Sequence, residues 1–380
     1  VLPAQGTPRI KPVGEARTRL ARRVVDGLGT GGALPVGFGR TALWAALKVL
    51  RAEGHCVAVP DFICRQVLDA IRAAGAKPVF YRIRADLRVE LESFHTALRK
   101  GCRVVLLVDY FGQVGHEIPE LAERARTCGA AVIEDAALAW GASLKGQPAG
   151  SFGDLAIFSL TKTGWNYGGG IVVTRRHDLL AALAGLEHAL PQDGRRLWIY
   201  GILRRLDFAA NRVRSGRFVA ACGWLAQRAL LPGQRDFYEA APVTLAMPEF
   251  AVHRALRWME EEPRRRARRR AAVARLLQEP AIAEVLLRPA GVPGDNAAFL
   301  LLRTQPGQAA AWRQRAAIQG VTLRLCWPAY QGLEPEQFSG AVAWLAQNVV
   351  ILEIHPDWTA DETDHIARVL AGLVHASGRG

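Results

Sequence analysis

From Phe38 to Thr174 short apolar runs alternate with longer amphipathic stretches. Val57-Ala58-Val59, closed by Pro60, reads as a strand, and so do Pro78 to Tyr81, Ala130 to Ile133, Ala156 to Phe158 and Ile171 to Val173. Val104 to Val108 is apolar at every position, as a strand covered on both faces requires. Between them Leu43 to Leu50, Val67 to Ala74 and Leu121 to Cys128 carry helical spacing, and Gly75 and Gly129 follow the last two as stops. Strands alternating with helices predict an α/β fold around a mostly parallel sheet. In such sheets functional groups gather beyond the carboxyl ends of the strands. Asp109, Glu134, Asp135 and Ser159 all fall at such ends.

The pattern changes after Asp178. Up to about Gly233 it is helical, rich in arginine and apolar. A long helix is expected from about Pro248, broken or restarted at Pro263, because proline removes a backbone donor and crowds the preceding turn. Glu260, Glu261 and Glu262 precede Arg264, Arg265, Arg266, Arg268, Arg269 and Arg270 on it, which predicts i,i+4 pairs on a solvated face rather than a nucleic-acid site. Strand-like Phe299 to Leu302 and Val349 to Ile354, with helix-like Ala309 to Gln319 and Ala360 to Val374, predict a smaller C-terminal α+β domain.

Composition changes this picture little. The 380 residues are half hydrophobic and 22% charged, which excludes general disorder and allows a sizeable core. The formal charge of +14 favours an anionic partner, although abundant Ala and Arg also follow from a GC-rich genome. Six scattered cysteines without a C-x-x-C pair argue against a zinc site or a disulfide framework; no metal is expected, and the expected location is a reducing cytoplasm. No signal peptide and no apolar run of membrane-spanning length is recognisable.

The densest chemical signal is "VIEDAALAWGASLKGQPAGSFGDLAIFSLTKTGWNYGGGIVVT", Val132 to Thr174. An aldehyde cofactor built on a pyridine ring with a phosphate needs a lysine for an imine and a carboxylate for the ring nitrogen. It also needs N–H or hydroxyl donors for the phosphate, best at a helix N-terminus. Asp135 ends a buried strand, and Lys162 follows another strand after Ser159, with a hairpin-like excursion between them. Gly168-Gly169-Gly170 permits close backbone approach, and "GFGRTALWAAL" is a glycine turn opening into a helix.

These segments, above all "VIEDAA", "GSFGDLAIFSL-TK" and "GGGIVVT", resemble the DegT/DnrJ/EryC1/StrS family of pyridoxal-phosphate aminotransferases, in a divergent branch. The resemblance runs from about Gly37 to Thr174 and resumes more weakly from about Pro248. It implies a fold-type I transferase and a homodimer that moves an amino group from an amino acid, glutamate, to a keto-sugar linked to a nucleotide. It makes Lys162 the Schiff-base lysine, Asp135 the pyridinium partner, Ser159 a phosphate ligand and Ala137 a ring contact, with backbone amides of Arg40 and Thr41 on the phosphate. It also divides the chain into an N-terminal segment packing on the small domain (1–36), a large cofactor-binding domain (37–247) and a small domain (248–380).

The chain departs from the pattern at Leu138, where the family has Gln or His near the phenolic oxygen. It departs again at Thr244 to Met247, which replace an Asn-Tyr-Arg motif. Phe62 or Cys64 stands where the family stacks an aromatic or Thr on the ring. The stretch at about 179–243 reads as a helical insertion on its own domain or its dimer mate; the competing reading is an amphipathic helix on anionic lipid. Trp165 and Tyr167 either line a substrate mouth or pack in a loop, and Arg324 is either a clamp for a substrate anion or a surface arginine. His355 is expected to be structural. Competing functions are a cofactor-binding protein without turnover and an aminotransferase for a non-sugar ketone; a dehydratase is disfavoured by Lys162, since those relatives carry His there.

Overall fold

The computed structural model describes residues 14–163, 168–192, 243–327 and 339–377. The first elements are α1 (Glu15–Leu28), β1 (Gly32–Val36), α2 (Gly39–Val49), β2 (Cys56–Pro60), α3 (Arg65–Ala73), β3 (Lys77–Tyr81), α4 (Leu91–Arg99) and β4 (Val104–Val108). Next come α5 (Ile118–Thr127), β5 (Ala131–Asp135), the hairpin strands β6 (Ser143–Leu144) and β7 (Gln147–Pro148), β8 (Leu155–Ser159), α6 (Leu160–Thr163), β9 (Gly170–Thr174) and α7 (His177–Ala189). The remainder is α8 (Glu249–Leu276), α9 (Pro280–Glu284), β10 (Phe299–Arg303), α10 (Ala309–Ile318), β11 (Arg324–Leu325), α11 (Gly340–Asn348), β12 (Val349–Glu353) and α12 (Ala360–Ser377).

Seven strands form one sheet in the order β1-β9-β8-β5-β4-β2-β3. Pairing is parallel from β3 through β2, β4 and β5 to β8, and β9 runs antiparallel to both its neighbours. The predicted α/β class and mostly parallel sheet are what the chain adopts. Every residue of β8 and β9 is buried, which explains their unbroken apolar sequence. The excursion after Asp135 is the β6–β7 hairpin. The parallel strands deliver Pro60, Val108, Asp135 and Ser159 to the same sheet edge. A second, antiparallel sheet, β10-β12-β11, has its own apolar core with Ala272, Val273 and Leu276 of α8, Trp312 of α10 and Leu370 of α12.

Three expectations differ from the structure. The segment before Gly37, expected to pack on the small domain, does so only in part: α1 packs on α8 and on β1, whereas β1 is an edge strand of the large sheet, buried at Leu34 and Val36. Pro263 does not break α8, which runs continuously from Glu249 to Leu276. Its first half is seated in the large core through Ala251, Val252, Ala255 and Met259 and its last turns in the small one, so packing on both sides outweighs the lost hydrogen bond. The charge run is not wholly solvated. Arg265 and Glu261 do pair at i,i+4 (3.0 Å) on the outer side. Arg269 and Glu262 instead turn inward, 1% and 3% exposed, and meet at 2.9 Å.

Burial raises the Glu262 carboxyl despite Arg269, the mark of a pair that costs much of what its attraction returns. Arg269→Met should therefore lower the unfolding free energy by about 3–5 kcal/mol by stranding a buried carboxylate. Urea denaturation would measure this, and adding Glu262→Leu to the same chain should recover most of the loss.

Candidate active site

At the carboxyl edge of the large sheet, β4, β5, β8 and the N-terminal ends of α2 and α3 surround a cleft of about 790 Å³, its mouth included. Asp135 forms its floor. Its Oδ1 accepts the backbone N–H of Ala137 (3.0 Å), and the side chain is 6% exposed. Burial pushes its carboxyl up to about 6, against the pull of the Ala137 amide and the Lys162 ammonium. Lys162, half-buried on the short α6, also lines the cleft.

One side of the cleft is built for an anion. Ser159 Oγ and Thr161 Oγ1 lie 3.0 Å apart, and Gly39 opens α2 beside them. A Cβ on Gly39 would stand 3.1 Å from the Ser159 Cβ, a tight approach that glycine relieves where the helix N-terminus meets the hydroxyl. A Cβ on Gly170 would lie 2.1 Å from the Phe38 carbonyl oxygen, so the glycine run presses the same turn into place from behind. Arg40 lines the cleft, is 8% exposed, and sets its guanidinium 4.9 Å from the Phe38 ring centre. The amides of the first helical turn and the positive end of its dipole favour a dianion here.

The sequence candidates separate on this geometry. Asp135, Ala137, Ser159, Lys162 and Arg40 all line one cleft. The Thr41 side chain does not: it is fully buried, and its hydroxyl donates to the Val243 carbonyl (2.6 Å). Arg324 lies on β11, its Nε 3.0 Å from Glu353 Oε1, and is not among the lining residues. The small sheet positions that guanidinium, and Glu353 on the neighbouring strand already supplies an anion. Trp165 and Tyr167 lie outside the described residues, as does the central part of the 179–243 stretch. Between Phe62 and Cys64 the structure selects Cys64 as the lining residue; Phe62 packs on Tyr110 and Trp327. The Cys64 thiol donates to Gln66 Oε1, and burial pushes its pKa up, so it is neutral.

The structure adds residues that the sequence did not single out. Trp327 reaches the cleft from beyond β11, and Phe38, Gln66 and Val67 complete its walls. No local spacing connects Trp327 with the strand ends it faces. Thr244 to Met247 sit behind the α2 turn: the Gly37 N–H donates to the Leu245 carbonyl (2.7 Å), and Ala246 bridges to Val36. His355 is buried, its Nδ1 accepting the Asp357 N–H (3.2 Å). Among the described residues no cluster of three or more His, Cys, Asp or Glu could hold a metal, and no helix is long and apolar enough to cross a membrane.

A pyridine aldehyde phosphate fits this cleft. A buried carboxyl awaits a cation, an amine lines the same wall, and hydroxyls meet a helix N-terminus. Ala137 leaves room for a flat ring.

The chain is similar to several known proteins. GDP-perosamine synthase of Vibrio cholerae is 30% identical over 230 residues, 58% of this chain and 60% of that protein. UDP-N-acetyl-3-dehydro-alpha-D-glucosamine 3-aminotransferase of Acidithiobacillus ferrooxidans is 31% identical over 206 residues, 50% of this chain and 55% of that protein. The chain thus matches little more than half the length of these relatives. The fold matches across nearly the whole chain. Spr1654 of Streptococcus pneumoniae, in its PMP-form, superposes with a TM-score of 0.73 at 18% identity, covering 96% of this chain and 93% of that one; it is also known in a PLP-form. The aminotransferase from Psychrobacter cryohalolentis gives 0.73 at 19% identity over the same shares. The family model of the DegT/DnrJ/EryC1/StrS aminotransferases matches residues 6–199, and the chain belongs to that family.

Proposed function

We propose that this chain is a pyridoxal-phosphate aminotransferase that moves an amino group from L-glutamate to a keto-sugar carried on a nucleotide. The observation that carries the reading is the convergence of Lys162 and Asp135 on one cleft beside the α2 N-terminus. The sugar acceptor is supported by the relatives, which are named for amino-sugar synthesis, and the net charge of +14 suits an anionic substrate. We place it in the cytoplasm as a homodimer, as the family resemblance implies.

When bound, the cofactor supplies an electron-withdrawing ring that stores the amino group between the two halves of the exchange. The protein's part is to hold and to move protons. Asp135 would hold a proton on the ring nitrogen through its carboxylate, Ser159, Thr161 and the first amides of α2 would hold the phosphate, and Ala137 would leave space for the ring. Lys162 would be the amine that holds the aldehyde and, when free, the base that takes the proton at the donor's α-carbon. Phe38, Leu138, Val108 and Trp327 line the walls and exclude water, which strengthens each of these charge contacts.

The purified protein should take up pyridoxal phosphate with a visible absorption band, and excess L-glutamate should discharge that band. A band indifferent to every amino acid would leave a binding protein without transamination, and no band would overturn the reading.

A further inference from the structure

The cleft floor rests on a turn that a distant part of the chain holds in place. After β5 the backbone doubles back from Ala136 to Trp140. The Ala136 N–H donates to the Ile157 carbonyl (3.0 Å), and the Ala139 N–H to that of Ala136 (2.9 Å). The turn brings Ala137 and Leu138 to the cleft and sets the Ala137 N–H on Asp135 Oδ1 (3.0 Å). The Leu138 and Trp140 carbonyls take their partner from the small unit: Asn296, just before β10, donates its side-chain amide to both, at 2.8 and 3.3 Å.

Asn296 is itself fixed from several sides. It is fully buried. Its Oδ1 accepts the Ala298 N–H (3.0 Å), its backbone N–H donates to the Gly112 carbonyl (3.1 Å), and its carbonyl accepts Arg269 Nε (3.3 Å). A Cβ on Gly112 would stand 2.0 Å from Asn296 Oδ1, so a glycine with φ +84° makes room for the amide. Arg266 of α8 donates to the Gly141 carbonyl, one residue beyond the same turn. A buried amide matched in this way holds one geometry, and removing it would strand two buried carbonyls.

We propose that Asn296 is a positioning residue: by holding the Leu138 and Trp140 carbonyls it keeps the Ala137 amide on the Asp135 carboxylate that meets the cofactor ring. The inference rests on the cofactor reading above. Asn296 is not among the residues that line the cleft, and it acts only through the turn. Its effect is electrical. Burial raises the Asp135 carboxyl, and the Ala137 amide, then Lys162 on α6, pull it down. Asp109 after β4 and Cys64 before α3 also face Asp135, while Glu134, its neighbour on β5, is taken up by the Gly150, Phe152 and Gly153 amides. Of all these groups only the Ala137 amide belongs to the turn. With the turn released, Asp135 should ionise at a higher pH than its value of about 6.

The test titrates cofactor-free protein with pyridoxal phosphate between pH 5 and pH 9. The pH below which affinity falls should stand near 6 in the wild type. It should move up by about one pH unit in Asn296→Ala, the size set by one lost hydrogen bond to a charged group. Asn296→Ser, which keeps an O–H donor, should move it less. Asn348 is also buried, and its side chain bonds Gly307 and Trp344 within the small unit, so Asn348→Ala should lower stability and leave that pH in place. A purely structural Asn296 would weaken binding at every pH without moving the onset, and that result would overturn the proposal. Hydrogen exchange of the wild type decides without any variant or cofactor. The Ala137 and Ala139 amides should open together with those of Phe299 to Arg303, with one denaturant dependence. Faster, independent exchange of the turn would also overturn the proposal. Failure of the wild type to bind pyridoxal phosphate would instead remove the cofactor reading, and the exchange result alone would then decide whether Asn296 holds the turn.

Discussion

Lys162→Ala should yield a folded protein that has no lysine-bound cofactor band and whose transamination is slower by at least about 10⁴-fold. Two roles vanish with one amine. The covalent hold on the aldehyde carbon is lost, and so is the base that moves the α-proton, a role worth about 10²–10⁴ alone. Among the described residues no other lysine lines the cleft, so no neighbour can substitute. The phosphate and ring-nitrogen contacts remain, so the variant should still bind the cofactor noncovalently, as equilibrium dialysis can show. Lys162 is only half-buried on a four-residue helix, so its truncation should cost little stability. A small primary amine added to the variant should restore part of the proton transfer. Turnover close to wild type, with the band intact, would show that another amine holds the cofactor.

What could be read from the sequence follows from the range of the forces involved. Strands buried on both faces have to be apolar throughout, so Val104–Val108 and the runs around Ile133 and Ile157 announced the parallel sheet directly. Asp135 and Lys162 were visible because a carboxylate and a lysine at the ends of such strands are costly and therefore conspicuous. Arg269 and Glu262 were misplaced because their partners, Asn296 and one another across seven residues, are set by the packing of α8 on two cores. Pro263 misled for the same reason, since local propensity yields to tertiary contacts. Trp327 became visible only in the fold, because it reaches the strand ends from beyond β11. Thr41 was expected through its backbone amide alone, and its side chain points elsewhere because one residue along α2 turns it by about 100°.

Asp135→Asn should separate activity from stability in opposite directions. In the wild type the ionised carboxylate holds the proton on the ring nitrogen; the neutral amide cannot, and the ring loses its power to withdraw electrons. Turnover should fall on the order of 10²–10⁴-fold, the range for losing a positioned proton-holding group. The stability argument carries the other sign. Without cofactor the buried carboxyl is raised to about 6, above its ordinary value of 3.8. Its ionisation is therefore harder in the folded chain than in the unfolded one. The contribution it makes to stability is full below the unfolded value and disappears as pH rises through about 6. Asparagine carries no such cost, so above pH 6 the cofactor-free variant should be more stable, by up to about 3 kcal/mol for a shift of this size. Binding follows the same proton. Below about pH 6 the empty wild-type site already holds a proton on Asp135 and must expel one to receive a protonated ring, so cofactor affinity should fall about tenfold per pH unit. The variant should lose that dependence. Urea denaturation of the cofactor-free proteins, and cofactor titrations between pH 5 and pH 8, test both halves. A variant that is less stable at pH 8, or whose affinity still falls on acidification, would mean that Asp135 is not the carboxylate that meets the ring.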